Sequence, residues 1–506
     1  MKLSAYTLKN ITSDKVVVPG EDLLKLPEKV LQFGTGMLLR GLPDYFIDKA
    51  NRMGIFNGRI VIVKSTTRGD ATVFKKQDGL YTLCVRGIRE GAKIEENIIN
   101  SSVSRVLNAS LEWQQILECA YNQSLQVIIS NTTEVGIKLV NEDIRQHPPL
   151  SFPGKLLAFL HERFIAFGGS EKSGFVIIPT ELIPDNGKKL ESIVLELAHL
   201  NSLNDEFIEW LEQCNYFCNS LADRIVTGLP GEEIKMEIEK ELGYKDDLLT
   251  ICEVYRLWAI EGDEQIKKLL SFAEADEGII IEPDIELYRE LKLRLLNGTH
   301  TLSCGIAFLS GIDTVKNALD NDVMSGYISN LMYREIAPSI PYVTNTETLN
   351  NFVVKVLDRF RNPHINHFWK SITLNYTQKM KLRCIPILLN YYAKSEIVPE
   401  LFALGFAAYI AFLRPVKQTG KEFFGECNGQ FYLIEDEAAE IFFKIWQQSP
   451  QDKVVKTILW DITLWGTDLT RLPGFEKSVG GKVEDIINNG MKATLEAVHS
   501  KKIYAS

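Results

Sequence analysis

The chain has 506 residues, of which 45% are hydrophobic and 24% are charged, a balance typical of a globular protein with two or three domains. Its formal net charge of -10 excludes a general nucleic-acid binder, because such a protein needs a basic surface to displace counterions from phosphates. The first residues lack the apolar core of a signal peptide, and no apolar run approaches the ~20 residues that span a bilayer. We therefore expect a cytoplasmic protein with no membrane partner.

A glycine turn follows the first apolar run. Residues 30–33 lead into Gly34-Thr35-Gly36, and the following residues have the apolar spacing of a helix. This order predicts a strand, a turn and a helix, in which the backbone at Gly34 and Gly36 can approach the pyrophosphate of a dinucleotide. Leu39 occupies the position of the third glycine of that pattern, so an ordinary glycine loop is the alternative.

The next predicted strand covers residues 59–63 and ends without the acid that binds the adenosine ribose in many dinucleotide folds. Lys64 and Arg68 lie there instead. These cations either suit the 2′-phosphate of NADP or are solvated loop residues. The residues themselves therefore leave NAD and NADP open.

Two further apolar runs, residues 127–129 and 175–178, each precede a polar loop. Ligands bind beyond the carboxyl ends of the strands in an open parallel sheet. We expect the loop that starts at Asn131 to touch a nicotinamide ribose, although its Ser, Asn, Thr and Gly residues also form ordinary turns. These strand ends together favour an α/β fold with a Rossmann-like N-terminal domain.

Helical periodicity dominates the rest of the chain. Strand signals largely stop after Gly243, and segments such as 266–273 and 401–408 have the spacing of amphipathic or buried helices. We predict a dinucleotide-binding domain over residues 1–246 and a mostly α-helical substrate-binding domain over residues 247–506. The active site is expected in the cleft between the two domains.

The leucine-rich segment 291–300 carries a polar trio of Lys292, Asn297 and His300. On an α-helix, Lys292, Asn297 and His300 share one side, at azimuths of about 0°, 140° and 80°. An ammonium, an amide and an imidazole that converge can exchange a proton with a substrate oxygen and stabilise an alkoxide. The alternative is a solvated helix edge with a hydrogen-bonded histidine, because this spacing is not specific by itself.

The sequence predicts no metal site. Its eight cysteines are scattered, and the close pair Cys214 and Cys218 has no matching second pair. His364 and His367 have no acid or thiol beside them, so they are interpreted as surface or hydrogen-bonded residues.

Five motifs, in this order along the chain, resemble the mannitol dehydrogenase family of long-chain polyol dehydrogenases. They are Q-F-G-T-G-x-L-L-R-G at 32–41, S-N-T-T-E-V-G-I at 130–137, E-L-I-P-D-N-G at 181–187, N-S-L-A-D-R-I-V-T-G at 219–228 and K-x4-N-G-T-H at 292–300. The resemblance implies metal-independent hydride transfer between a nicotinamide, with NAD as the cofactor, and a sugar carbonyl. Within the family the chain is most similar to the uronate-reducing branch.

The resemblance also implies site residues. Lys292 corresponds to the general acid/base, and Asn297 and His300 to the groups that hold and polarise the reacting oxygen. The residues implied to line the cofactor are Phe33, Gly34, Gly36, Asn131, Thr132 and Glu134.

Two further residues are implied to act on the substrate side. Asp223 corresponds to the aspartate that places the substrate or the lysine, and its alternative role is an ion pair with Arg224. Lys379 corresponds to the lysine of the family's S-x-K segment, and its alternative is a solvated surface lysine.

Two departures from the polyol pattern favour the uronate branch. Glu181-Leu182 stands where polyol members have Asp-Asn, which removes an amide of their oxyanion site, and Ser371 stands where they have an arginine. A uronate needs a cation for its carboxylate, and Lys379 is the predicted one. Arg359 and Arg361 lie in the same region of the chain but are too loosely placed to assign.

The sequence thus predicts an NAD(H)-dependent oxidoreductase that reduces a keto-uronate, a small-molecule sugar acid. Fructuronate, mannitol and a sugar phosphate are the alternative substrates within the family. A non-catalytic dinucleotide-binding sensor is the alternative from another class of protein. The sequence leaves a monomer and a dimer equally open.

Overall fold

The computed structural model describes residues 1–65, 71–132 and 136–500. The chain divides into two compact units: residues 1–86 with 93–285, and residues 87–92 with those from 286 onward. The first unit extends beyond the predicted boundary at 246, because the strands at 250–253 and 257–261 pair with residues 83–86 and 220–223. The observed division follows this strand pairing and lies after Ile285.

A six-stranded parallel sheet runs through the first unit. In spatial order its strands are Val103–Asn108, Arg59–Lys64, Glu28–Phe33, Val127–Ser130, Val176–Pro179 and Tyr216–Phe217. The strands predicted from apolar runs at 30–33, 59–63, 127–129 and 175–178 are confirmed with small shifts at their ends. These strands are buried on both faces, which explains why they are continuously apolar.

Each face of this sheet has its own hydrophobic core, to which helices contribute apolar side chains. Val30 packs in one core, and its neighbour Leu31 packs in the other together with Phe33, as the alternation of side chains along a strand requires. The helices of the unit are Met37–Gly41, Pro43–Arg52, Thr72–Lys76, Trp113–Glu118, Phe152–Phe167, Asn186–Leu200, Asp205–Cys214, Glu232–Leu242 and Glu264–Leu269. The Rossmann-like fold predicted for the N-terminal part is therefore confirmed.

Two smaller sheets accompany the parallel sheet. The first contains, in spatial order, Val226–Gly228, Thr250–Glu253, Tyr81–Arg89 and Ala92–Asn100. The second contains Ile279–Glu282, Leu257–Glu261 and Ser220–Asp223. The prediction that strands largely stop after Gly243 is therefore wrong. The strands at 250–253, 257–261 and 279–282 are too short and too uniformly apolar to be distinguished from helical segments by periodicity.

The second unit is mostly helical. Its α-helices are Glu286–Leu291, Thr299–Leu309, Val315–Asp320, Asp322–Asn330, Thr346–Phe360, Trp369–Ile372, Tyr376–Lys379, Ile385–Tyr392, Glu400–Phe412, Ala439–Gln448, Gln451–Trp460, Ile462–Trp465, Phe475–Asn489 and Met491–Ser500. Three segments are π-helical turns: Lys292–Gly298, Leu331–Ile336 and Met380–Cys384. A three-stranded sheet interrupts the helices, with strands Lys417–Thr419, Glu422–Cys427 and Gln430–Leu433.

The helix Glu400–Phe412 lies in the core of the second unit. It buries every residue except Glu400 and Ala411. A Cβ at Gly405 would lie 2.7 Å from the Leu302 carbonyl oxygen and 2.9 Å from the Tyr327 hydroxyl, so the neighbouring helices approach its backbone closely. No helix among the described residues combines the length and the apolar character needed to cross a membrane.

A buried arginine organises one side of the parallel sheet. Arg163 donates hydrogen bonds to the carbonyl oxygens of Ala120, Asn122, Leu125 and Ser173, at 2.7–3.0 Å. Its guanidinium lies over the rings of Phe167 and Phe175. The charge is thus solvated by backbone oxygens, which join the helix Phe152–Phe167 to two segments, residues 120–125 and 171–173.

Replacing Arg163 with methionine should destabilise the protein. The change keeps the apolar contacts of the stem but leaves several buried carbonyl oxygens without donors, and we expect a loss of at least about 3 kcal/mol in the free energy of unfolding. Urea-induced unfolding followed by circular dichroism measures it. The matched control is Arg145→Met, because Arg145 is exposed and pairs with nearby Asp143; equal effects of the two changes would contradict the assignment.

Candidate functional site

The central strand of the parallel sheet ends in a tight glycine turn. Gly34, directly after the buried Phe33, has φ +130°, and its N–H donates to the Val63 carbonyl oxygen at 3.0 Å. A Cβ at Gly34 would lie 2.9 Å from both the Asn131 carbonyl oxygen and the Leu39 side chain, so only glycine fits. Gly36 is exposed, and its added Cβ would meet only Asn131, at 3.8 Å. The backbone of this turn is therefore open to a closely bound group.

Glu181 fixes the neighbouring polar loop. Its buried carboxylate accepts hydrogen bonds from the Ser130 hydroxyl (3.1 Å), the Thr132 N–H (2.8 Å) and the Thr132 hydroxyl (2.9 Å). The Asn131 side-chain amide donates to the Thr180 hydroxyl at 2.9 Å, and the Asn131 N–H donates to the Phe33 carbonyl oxygen at 3.1 Å. The loop is thus held on both sides. The sequence identified Glu181 only as a departure from the polyol pattern and missed this role.

Two other predicted residues of the first unit, Lys64 and Asp223, each end a strand. Lys64 ends the strand Arg59–Lys64 and is buried, so it is not a solvated loop residue. Asp223 ends the strand Ser220–Asp223 and is also buried. Its neighbour Arg224 donates to the carbonyl oxygens of Glu253 and Gly41. Glu134 and Arg68 lie outside the described residues.

The segment with the polar trio is a π-helical turn, not the α-helix that the azimuths assumed. This turn covers Lys292–Gly298 and continues into the helix Thr299–Leu309. Its i→i+5 hydrogen bonding changes the angular spacing of its side chains, and such turns frequently occur at functional sites. Lys292 and Asn297 are half-buried, and His300 is buried one helical turn further on.

His300 sits in an aromatic cage. Its ring stacks on Phe360 with a centroid distance of 4.2 Å, and the rings of His367 and Trp369 approach it edge-on at 5.0 and 5.9 Å. The Nε2 atom is buried and has no hydrogen-bond partner in the part of the chain that the structure describes. Burial, followed by the nearby charges, lowers the pKa of His300 well below its usual value. The imidazole is therefore neutral near pH 7.

Two half-buried cations lie near this histidine. Lys379 donates from Nζ to the Ile372 carbonyl oxygen at 2.9 Å, and Arg383 donates from Nη1 to the Thr301 hydroxyl at 3.3 Å. Burial lowers the pKa of Lys379, and the charge of Arg383 adds to the effect. Both cations, with Arg359, also lower the pKa of His300. The sequence analysis did not identify Arg383. The available signal was its position four residues after Lys379, because residues four apart are neighbours on one face of a helix.

The structure offers no cluster of three or more His, Cys, Asp or Glu residues suited to a metal ion among the residues it describes. The cysteines named in the sequence analysis, Cys214 and Cys218, are both free thiols.

The imidazole of His300 should not titrate near neutral pH. In an NMR spectrum of protein labelled with ¹³Cε1-histidine, the signal of His300 is the one that disappears in His300→Asn. We expect the chemical shift of this signal to stay constant between pH 7.5 and 5.5, because protonation would put a charge into a buried, cationic site. A midpoint at or above about 6.5, the value of an unperturbed histidine, would contradict this.

The lowered pKa of His300 also makes the stability of the protein depend on pH. The contribution of His300 to stability is fully present above the unfolded-state pKa of about 6.5, and it is lost as the pH falls towards the lower folded-state value.

Two family models match the chain. The model described as the mannitol dehydrogenase Rossmann domain matches residues 28–272, and the one described as the mannitol dehydrogenase C-terminal domain matches residues 284–487.

Curated relatives match over nearly their whole length. The altronate oxidoreductase of Bacillus subtilis is 39% identical over 474 residues, which cover 93% of this chain and 95% of the relative. The altronate oxidoreductase of Halalkalibacterium halodurans is 37% identical over 484 residues, covering 94% of each chain.

Solved structures share the fold. The mannitol 2-dehydrogenase of Pseudomonas fluorescens, in a ternary complex with NAD and D-mannitol, is 21% identical, with a TM-score of 0.66 and coverage of 99% of this chain and 100% of that one. A substrate-free D-sorbitol dehydrogenase is 19% identical, with a TM-score of 0.79 and coverage of 98% and 100%.

Proposed function

This chain belongs to the mannitol dehydrogenase family of oxidoreductases, and we propose that it is an NAD(H)-dependent, metal-independent altronate oxidoreductase that interconverts tagaturonate and altronate. The observation that carries the proposal is the match of 93% of the chain to a relative of that name at 39% identity. The proposed setting is the cytoplasm, with a small sugar acid as the partner.

The glycine turn fits a dinucleotide. Gly34 and Gly36 leave the backbone free of side chains where a pyrophosphate must approach closely. We assign Asn131 and Thr132, which Glu181 holds in place, to the ribose side of the nicotinamide. The bound nicotinamide supplies or accepts the hydride. Phe33, Lys64 and Glu134 complete the proposed cofactor residues, with Glu134 outside the described part of the chain.

Lys292 is the proposed general acid/base. It donates a proton to the carbonyl oxygen during reduction and accepts the hydroxyl proton during oxidation. The Asn297 amide and the neutral His300 imidazole donate hydrogen bonds to the developing oxyanion. The Nε2 atom of His300, which bonds to none of the described residues, supports this role. Asp223 and Lys379 are proposed to position the substrate.

An assay of nicotinamide absorbance tests the proposal. Purified protein is assayed with each combination of one cofactor, NADH or NADPH, and one substrate, tagaturonate, fructuronate or fructose. We expect NADH turnover with tagaturonate that exceeds the turnover with the other two substrates. Preferred turnover of fructuronate or fructose would move the chain to another branch of the family, and no turnover with any of them would favour a dinucleotide-binding sensor.

Lys292→Ala should abolish the proton transfer and leave cofactor binding nearly intact. We expect kcat to fall by about 10²- to 10⁴-fold, while the Kd for NADH, measured by fluorescence titration, stays within about twofold. The control is Lys316→Ala, which removes a partly exposed lysine paired with Asp320. Equal losses of turnover and NADH binding in Lys292→Ala would contradict the role.

A further inference from the structure

A network of hydrogen bonds places Arg383 beside the polar trio. Arg294, in the turn Lys292–Gly298, donates from Nη1 to the carbonyl oxygens of Leu382 (2.6 Å) and Arg383 (3.0 Å), and Glu290 holds its guanidinium. This fastens the turn Met380–Cys384 to the turn that carries Lys292. The position of the Arg383 backbone is therefore set by the catalytic segment itself.

The side chain of Arg383 turns towards the same place. Its Nη1 donates to the Thr301 hydroxyl at 3.3 Å, and that hydroxyl donates to the Asn297 carbonyl oxygen at 2.7 Å. Thr301 directly follows His300 in the chain, and Nε2 of His300 is buried without a partner among the described residues. The guanidinium is thus linked through one hydroxyl group to the Asn297 carbonyl oxygen, and its charge acts on the imidazole of His300.

The residues that the structure describes leave the charge of this site unbalanced. Neither Lys379 nor Arg383 forms an ion pair with any residue that the structure describes, and each makes one side-chain hydrogen bond, to a neutral oxygen. Asp436 acts on Lys379 only at longer range, and its carboxylate accepts from the Thr377 N–H and hydroxyl at 2.7 Å. Half-buried cations without a counter-charge are costly unless a ligand supplies it.

We propose that Arg383, together with Lys379, binds the carboxylate of the sugar acid and so selects uronates over neutral keto sugars. The inference rests on the proposed function. Arg383 has the geometry for this role, because a guanidinium binds a carboxylate through two parallel N–H groups and four of its five N–H groups make no bond to the described residues. Lys379 adds a point charge.

The experiment compares two ligands that differ only in the charged group. Tagaturonate carries a carboxylate where tagatose carries a hydroxymethyl group. Equilibrium binding of each, in the presence of NAD, is measured by calorimetry for the wild type, Arg383→Gln and Arg383→Lys, and the KM and kcat for tagaturonate are measured alongside. Lys381→Gln is the matched control, because Lys381 lies two residues away and donates to the Thr463 carbonyl oxygen.

We expect the wild type to prefer tagaturonate, and Arg383→Gln to weaken tagaturonate binding by about 10- to 100-fold with little effect on tagatose. KM should rise more than kcat falls, and Arg383→Lys should recover part of the preference. Equal weakening of both ligands would indicate a structural role and overturn the proposal, as would an unchanged preference. The Kd for NADH reports whether each variant is folded.

The outcomes separate this proposal from the proposed function. If the wild type reduces tagaturonate but Arg383→Gln keeps the preference, only the carboxylate subsite is wrong. If the wild type binds tagaturonate through Arg383 without reducing it, the proposed reaction is wrong and the subsite holds. If the wild type neither binds nor reduces tagaturonate, both are wrong.

Discussion

Parallel pairing of the strand Glu28–Phe33 with both of its neighbours is the constraint on which the first unit depends. Parallel strands all end at the same edge, so the segments that follow them must meet there. Two backbone hydrogen bonds connect these segments. The Gly34 N–H donates to the end of one neighbouring strand, and the Asn131 N–H donates to the end of the central strand. Glu181 then bonds the loop after Ser130. A site made from distant parts of the sequence follows from one pattern of strand pairing.

Electrostatics dominates the candidate site of the second unit. The aromatic rings around His300 exclude water, and the cations beside it oppose protonation, so both effects keep the imidazole neutral. A neutral imidazole donates a hydrogen bond without competing with Lys292, the proposed acid. The same cations attract an anionic ligand, so a single arrangement of charge serves both the proposed oxyanion chemistry and the proposed recognition of a sugar acid.

Much of the first unit could be predicted from local patterns. Continuous apolar runs gave the strands at 28–33, 59–64, 127–130 and 176–179, because a sheet buried on both faces needs such runs. The turn at Gly34 could be predicted from the sequence, because its backbone conformation and close neighbours require a glycine there. The role of Glu181 was not visible, since it depends on a loop far away in the sequence.

The second unit was harder to predict in detail. Helical periodicity cannot distinguish an α-helix from a π-helical turn of seven residues, so the segment Lys292–Gly298, which carries Lys292 and Asn297, was assigned the wrong geometry. The position of Arg383 depends on Arg294 bonding across two turns, which no local pattern reports.

The core helix Glu400–Phe412 has a consequence for biosynthesis. A ribosome completes the first unit's residues up to 285 well before it reaches this helix, so that unit can assemble while the chain is still growing. The helix Thr299–Leu309 and the turn Leu331–Ile336 pack against residues 400–412, so their facing apolar surfaces stay uncovered until that helix emerges. Chaperone demand and sensitivity to premature termination should therefore concentrate in the last third of translation.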